Sequence, residues 1–112
     1  MNWDLEYFVD SRGRRPVEEF LSTLPLSART KVNLVLDLLR EFGTMVGQPH
    51  VKKISDTKLW ETRTGGEVPV RILYLAATGR KFLLLHGFVK KTQKTPEREV
   101  FLAMKRAKEI GR

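Results

Sequence analysis

Most of the residues that could do chemistry are cations placed at the ends of apolar runs. The tract "KKTQKTP" (residues 90–96) directly follows the apolar run "KFLLLHGFV" (81–89), and two arginines occupy or end the runs before it. The candidate catalytic cations are Arg63, Arg71, Lys90 and Lys91, and the further candidates for contact with a polyanion are Lys52, Lys53 and Lys94. Guanidinium and ammonium groups bind phosphate oxygens, so the pattern indicates a phosphate-rich partner.

Arg71 admits two interpretations. It lies between Val70 and Ile72, where a charge is costly to bury unless that part of the sheet faces water or a partner. In the first interpretation Arg71 joins the cations at neighbouring strand ends in a concave, positively charged platform. In the second it pairs with Glu61 or Glu67 across the predicted sheet.

Two aromatic residues and one histidine are further candidates. Phe88 and Trp60 could offer aromatic faces to unstacked RNA bases, a contact worth about 1–3 kcal/mol per base. For Trp60 a place in the core is favoured, because large aromatics usually supply buried area. His86 could transfer protons, although a histidine inside an apolar run is more often a hydrogen-bonded core residue.

The distribution of charge supports a polyanionic partner. The chain of 112 residues has a formal net charge of +8. Residues 1–49 hold six Lys+Arg against seven Asp+Glu, and residues 50–112 hold 15 against six, so the halves carry −1 and +9. A basic surface gains affinity for nucleic acid by releasing the counterions condensed on phosphates. The alternative is a basic surface that serves solubility, with Lys52 and Lys53 on a solvated loop.

Several kinds of chemistry are excluded by the residues present. The two histidines, His50 and His86, have no further ligand at zinc spacing, and the chain has no cysteine. It contains no glycine-rich phosphate-binding motif and no G-x-S-x-G nucleophile motif. Glu61 and Glu67 are the acids between residues 58 and 89 and both lie among cations, which does not suit a glycosidase pair. We therefore expect no metal and no cofactor.

Length and pattern predict one α+β domain that spans residues 1–112. A chain of this size has room for one modest core. No apolar run approaches the 18 or so residues of a membrane span, and the N-terminus lacks the order of a secretion signal, so a cytoplasmic location is expected.

The predicted elements follow the periodicity of apolar residues. A strand at residues 3–10 precedes a helical hairpin, in which Pro16 begins the first helix, Pro25 ends it and Ser27 caps the second. Residues 43–57 read as a loop. Runs at 58–63, 68–76 and 81–89 predict an antiparallel three-strand meander, and Thr95 and Pro96 predict the cap and first residue of a final helix. The expected fold is thus an antiparallel sheet of about four strands with an N-terminal helical hairpin and a C-terminal helix.

Three motifs in this order resemble a known family. L-W-E-x-R ends at Arg63, R-x-x-Y begins at Arg71, and H-G-F-x-K-K-x-x-x-x-P begins at His86. Together they are similar to the RelE/HigB superfamily of toxins from type II toxin-antitoxin pairs, in particular its phage-related HigB-like branch. The resemblance extends from about residue 3 to residue 110.

The resemblance implies a RelE-like fold and a toxin that enters the ribosomal A site and cleaves mRNA during translation without a metal. It also implies a cognate antitoxin, usually with a helix-turn-helix domain. Arg63 corresponds to the family's phosphate-binding arginine, Arg71 to a recurrent strand arginine, and Lys90 with Lys91 to a basic pair. The late tyrosine with which some members stack the substrate base is missing here, and Phe88 is the expected substitute.

Three functions therefore compete. The leading one is a ribosome-dependent endoribonuclease, in which an arginine stabilises phosphate charge and Lys90, Lys91 or His86 transfers protons. The second is a DNA gyrase inhibitor of the ParE type, since that branch shares the fold. The third is an RNA-binding or ribosome-binding module without catalysis.

Overall fold

A five-stranded mixed sheet forms the centre of the computed structural model, which describes residues 2–111. The strands are β1 (Asp4–Tyr7), β2 (Val51–Lys53), β3 (Trp60–Arg63), β4 (Val70–Ala77) and β5 (Lys81–Val89). Their order across the sheet is β1-β5-β4-β3-β2. The predicted meander is confirmed, because β3, β4 and β5 are antiparallel neighbours joined by short connections.

The expected sheet of about four antiparallel strands is wrong in two respects. Val51–Lys53 forms an edge strand, β2, inside the segment that we predicted as a loop. Three residues with two exposed lysines carry too little alternation to predict a strand. In addition, β1 pairs in parallel with β5, with the helical hairpin between them in sequence, so the sheet is mixed.

Three α-helices flank the sheet: α1 (Pro16–Ser22), α2 (Leu26–Phe42) and α3 (Glu97–Glu109). Pro16 is the first residue of α1, as predicted, whereas Pro25 and Pro96 occupy the N-cap positions before α2 and α3, so Pro96 is not the predicted first helical residue. The predicted caps are wrong. Ser27 is the second residue of α2, and the Thr95 hydroxyl donates a hydrogen bond to Glu61 on β3 instead of capping α3. None of the three helices has a side-chain hydrogen bond at its N-cap.

The two faces of the sheet build separate cores. Helices α1 and α2 cover the face that carries Val70, Ile72 and Tyr74 of β4. Helix α3 covers the other face, with Leu73 and Leu75, through Ala103 and Ala107. Because side chains alternate along a strand, each strand contributes to both cores. The last strand, β5, lies between β1 and β4, and most of its residues are buried.

A bulge in β5 changes this alternation halfway along the strand. Leu84 pairs with Tyr74 and His86 pairs with Leu73, which leaves Leu85 as the extra residue. As a result Phe82 and Leu84 belong to the core under α1 and α2, whereas Phe88 belongs to the core under α3. The bulge therefore determines which face the end of β5 presents to α3. Within residues 2–111 no helix is both long enough and apolar enough to cross a membrane.

Candidate functional site

Charged side chains converge on the α3 face of the sheet, at the end that α3 leaves uncovered. Arg63 lies opposite Arg71, and Lys52 lies opposite Glu61. Lys90 follows β5, and its main-chain N–H donates to the carbonyl of Pro69 at 2.8 Å. Arg63 and Arg71 thus lie on neighbouring strands with Lys90 close to them, which agrees with the first of the two interpretations of Arg71.

The bulge at Leu85 brings Lys90 to this face. Without the extra residue, the alternation that buries Leu83 under α3 would direct Lys90 toward α1 and α2. With it, Lys90 shares a hollow with Arg63 and Arg71.

Arg71 is only 8% exposed, although it carries a charge. Its Nη1 donates to the main-chain carbonyls of Thr64 and Val70, at 2.8 and 3.0 Å. Its Nε has no hydrogen-bond partner within residues 2–111. Burial lowers the pKa of this guanidinium, while Glu61 opposes the shift and Arg63 adds to it. Arg71 therefore holds the connection between β3 and β4 and retains an unpaired donor.

Glu61 is a buried carboxylate among these cations. It is 4% exposed, and its Oε1 lies 3.9 Å from Arg63 Nε. The hydroxyl of Thr95 donates to Glu61 Oε2 at 2.7 Å. Glu61 thus ties the end of the lysine tract to β3 and supplies the negative charge that the facing arginines require.

Two adjoining depressions cross this surface. The first, here called the basic groove, has a volume of about 640 Å³, and its lining includes Lys52, Arg63, Lys90, Lys94 and Phe101. The second, the terminal hollow, has a volume of about 480 Å³ and is lined by Arg63, Pro69, Arg71, Lys90, Lys91, Thr92 and Gln93. Arg63 and Lys90 line both, so they stand where the two depressions meet.

Lys90 has the most altered environment among these lysines. Partial burial lowers the pKa of its ammonium group, and the charges of Arg71, Arg63 and Lys52 lower it further, whereas Glu61 raises it. Removal of the proton relieves repulsion from these neighbours. The lowered pKa makes the neutral amine of Lys90 easier to form, and the neutral amine can accept a proton.

The remaining predicted lysines are exposed and differ in position. Lys91 and Lys94 lie on the loop between β5 and α3, where they line the terminal hollow and the basic groove respectively. Lys52 points to the α3 face, but Lys53 pairs with Trp60 on the opposite face. The Lys53 Nζ lies 5.5 Å from the centroid of the Trp60 ring, a cation–π contact.

The aromatic candidates lie elsewhere than expected. Trp60, favoured as a core residue, is 37% exposed on the opposite side of the sheet from the groove. Phe88 is buried in the core under α3, where its ring stacks on His86 at 5.6 Å between centroids. The placement gives no support to Phe88 as a surface for a base.

His86 lies outside the hollow that holds Arg63 and Lys90. Its Nε2 is 2.7 Å from Glu99 Oε1, and its Nδ1 is 3.3 Å from Arg106 Nη1. Arg106 must donate, so the neutral ring carries its proton on Nε2 and donates to Glu99. Burial lowers the pKa of His86, against the hydrogen bond and charge of Glu99. The favoured interpretation, a hydrogen-bonded core histidine, agrees with these contacts.

Sequence reasoning missed three of the residues that shape the site. In the sequence Glu61 is an acid among cations. Strand alternation places Glu61 two residues from Arg63 and therefore on the same face of the sheet as Arg63. The position of Thr95 before a proline predicts a helix cap. Its hydrogen bond to Glu61 forms only in the folded chain. Phe101 gave no sequence signal apart from its apolar character on the helix. Within residues 2–111 no three His, Asp or Glu side chains form a group that could hold a metal.

Fold and site define an α+β protein with a cationic depression at the strand ends of its sheet. A family model described as phage-derived protein Gp49-like matches residues 19–108. The chain belongs to this Gp49-like family. No curated protein matches it.

Proposed function

We propose that the protein is the toxin of a type II toxin-antitoxin pair and that it inhibits translation as a ribosome-dependent, metal-independent mRNA endoribonuclease. Membership of a phage-derived family and the resemblance of its motifs to RelE/HigB toxins support this function. The observation that carries the proposal is the meeting of Arg63, Arg71 and Lys90 in one hollow. Arg63 and Arg71 lie on β3 and β4, Lys90 directly follows β5, and the three cations border a space that can receive a phosphate.

The reaction uses the nucleophile that RNA itself contains. Lys90, as the neutral amine, takes the proton of a 2′-hydroxyl, and the 2′-oxygen bonds to the adjacent phosphorus. The bond from phosphorus to the 5′-oxygen breaks, and the ammonium of Lys91 donates a proton to that oxygen. The products are a 2′,3′-cyclic phosphate and a 5′-hydroxyl. Burial and the neighbouring cations lower the pKa of Lys90 below its ordinary value, which favours its role as the base.

Arg63 binds the phosphate undergoing cleavage. Its side chain is partly exposed and borders both depressions, so it can place its planar fork on two phosphate oxygens. A fixed donor aimed at developing charge stabilises a transition state by about 3–4 kcal/mol. Arg71, behind it, adds positive charge from a buried position. His86 has no direct role, because its two ring nitrogens face Glu99 and Arg106.

The partners follow from the proposed reaction. The message is presented in the A site of the ribosome, which supplies the alignment of the 2′-hydroxyl with the scissile bond. A cognate antitoxin, with a helix-turn-helix domain in this branch, holds the toxin inactive. The lysines of the loop between β5 and α3 contact the phosphates of RNA.

Primer extension on a translated message tests the function. The unchanged protein should leave discrete breaks in the message, and these breaks should require ribosomes. Arg63→Ala should reduce cleavage by about 100-fold or more, as expected for loss of one fixed donor. Its thermal unfolding should remain cooperative.

Lys108→Ala is the matched control, since it removes one exposed cation from α3 far along the helix from the groove. Equal cleavage by Arg63→Ala and Lys108→Ala would remove the site assignment. Growth arrest without mRNA breaks, together with inhibited DNA gyrase, would replace the function with that of the ParE type.

A further inference from the structure

The hydroxyl of Thr95 occupies one oxygen of a buried carboxylate. It donates to Glu61 Oε2 at 2.7 Å, and Glu61 is only 4% exposed. A carboxylate removed from water needs such a donor, because a buried charge without a hydrogen bond is costly. The bond also restricts the rotation of the carboxylate, and it thereby limits where the second oxygen of Glu61 can lie.

That second oxygen stops short of Arg63. Glu61 Oε1 lies 3.9 Å from Arg63 Nε, which is beyond hydrogen-bond distance. The Nε of Arg63 is itself buried and has no hydrogen-bond partner within residues 2–111. An unpaired donor and a carboxylate oxygen thus lie side by side without a bond, although pairing would satisfy both. The hydrogen bond that the carboxylate makes instead is the one with Thr95.

A closer approach of Glu61 would make Arg63 a poorer ligand for phosphate. A carboxylate that pairs with a guanidinium group neutralises its charge and occupies part of its planar fork. Arg63 borders both the basic groove and the terminal hollow, and its side chain is 30% exposed. The same guanidinium group can therefore serve either Glu61 or a phosphate.

We propose that Thr95 is a positioning residue, whose hydroxyl holds the carboxylate of Glu61 away from Arg63 and so keeps the guanidinium free for a phosphate of RNA. This inference rests on the proposed function, and it adds to that function the residue that keeps the phosphate-binding arginine available. Without the hydroxyl, the buried carboxylate pairs with the unpaired Nε that lies 3.9 Å away.

Nuclear magnetic resonance of the arginine side chains tests the geometry. The Nε–H signal of Arg63, assigned by its loss in Arg63→Lys, should move downfield in Thr95→Val, because a hydrogen bond to a carboxylate forms. Thr95→Ser keeps the hydroxyl and should retain the original signal. Thr23→Val is the matched control, since the Thr23 hydroxyl also donates at 2.7 Å, but to the main-chain carbonyl of Phe20 at the end of α1. An unaltered Arg63 signal in Thr95→Val would overturn the proposal.

RNA binding tests the consequence for phosphate. The probe is a single-stranded RNA oligomer with 2′-O-methyl riboses, which lacks the nucleophile for cleavage. Thr95→Val should raise its Kd roughly tenfold, as expected for the loss of one charge-assisted contact. The slope of log Kd against log salt should fall by about 0.7, the contribution of one phosphate contact to a single strand. Thr95→Ala should behave like Thr95→Val, and Thr95→Ser like the unchanged protein.

A double variant separates this role from simple anchoring of the loop between β5 and α3. Glu61→Gln/Thr95→Val should bind the oligomer as Glu61→Gln alone does, because a neutral amide does not neutralise Arg63. A deficit of Thr95→Val that persists beside Glu61→Gln would mean that Thr95 only anchors the loop, and it would reject the proposal. Failure of the unchanged protein to bind the oligomer at low salt would also contradict it.

The outcomes distinguish this inference from the proposed function. The predicted Arg63 signals and affinities without cleavage of translated mRNA would retain the role of Thr95 and reject the nuclease. Cleavage by Thr95→Val at the rate of the unchanged protein, with an unaltered Arg63 signal, would retain the nuclease and reject the role of Thr95.

Discussion

On one face of the sheet, α1 and α2 cover the strands along their length; on the other, α3 covers one end and leaves charged residues at the other. The same strand contributes to both, since β4 gives Ile72 and Tyr74 to the first face and Arg71 and Leu73 to the second. The polar residue Thr62 on the covered face has its hydroxyl bonded to the N–H of Ile72 at 3.2 Å. This buried hydroxyl on the covered face is thus paired.

The α3 face departs from that rule at its open end. Arg63 and Arg71 are direct cross-strand neighbours of like charge, and the Nε of each is buried without a hydrogen-bond partner within residues 2–111. Such an arrangement is destabilising by itself and gains from an anion. The core under α1 and α2 thus contributes stability that offsets the repulsion between the two arginines of the open face.

The largest expected effect concerns the closed face. Leu36→Ala should lower the free energy of unfolding by about 2–5 kcal/mol, because it removes a fully buried side chain and leaves a cavity. Leu34→Ala on the same helix should change it by about 0.5 kcal/mol or less, because Leu34 is exposed. Urea unfolding with a constant m-value gives both numbers. Similar losses in the two variants would mean that Leu34 is packed as deeply as Leu36 and that the other face of α2 does not form the core.

The second prediction concerns proton transfer on the open face. If Lys90 acts as the base, the rate of cleavage rises with pH, and the midpoint of the rise reports the pKa of Lys90. Arg71 lowers that pKa and Glu61 raises it. Arg71→Met should therefore move the midpoint to higher pH, and Glu61→Gln should move it to lower pH. Single-turnover cleavage of ribosome-bound message measures the profile, whatever rate each variant retains.

Opposite shifts in these two variants would not follow from a merely structural disturbance of the site. Added salt should reduce both shifts, since Lys90 is only partly buried and its interactions are screened. Shifts in the same direction, or a profile without a midpoint, would assign the proton to another group.

Sequence reasoning predicted the three helices and the meander because each has a clear period of apolar residues. One of the two interpretations of Arg71 placed it with the cations at neighbouring strand ends, and Arg63, Arg71 and Lys90 do line one hollow. It missed β2, which is too short to show a pattern, and the parallel pairing of β1 with β5, which is a long-range contact.

The finer features of the site depend on facts that no local pattern contains. The extra residue Leu85 reverses the alternation within β5, so the face of Phe88 and Lys90 cannot be read from spacing. The bond between Thr95 and Glu61 joins residues 34 positions apart. Phe101 is apolar, like the buried residues of α3. Only the packing of that helix in the folded chain shows that Phe101 is exposed.

The smallest expected effect concerns the attachment of α3 to the sheet through His86. Burial lowers the pKa of His86 from its ordinary value of 6.5, and Glu99 and Arg106 are the charged groups that face the ring. The folded chain therefore binds a proton at His86 less readily than the unfolded chain does. Stability that depends on the neutral ring is fully present above about pH 6.5 and decreases as the pH falls toward the lower folded-state pKa.

Replacement of His86 isolates this contribution. Between about pH 7.5 and 5.5 the unchanged protein should lose more unfolding free energy than His86→Asn, whose asparagine does not titrate. His50→Asn is the matched control, because His50 is the other histidine of the chain and is exposed. Its stability should follow the unchanged protein across this range. A parallel pH dependence of His86→Asn and the unchanged protein would show that the attachment of α3 does not depend on the charge of His86, and Glu99 with Arg106 would then account for it.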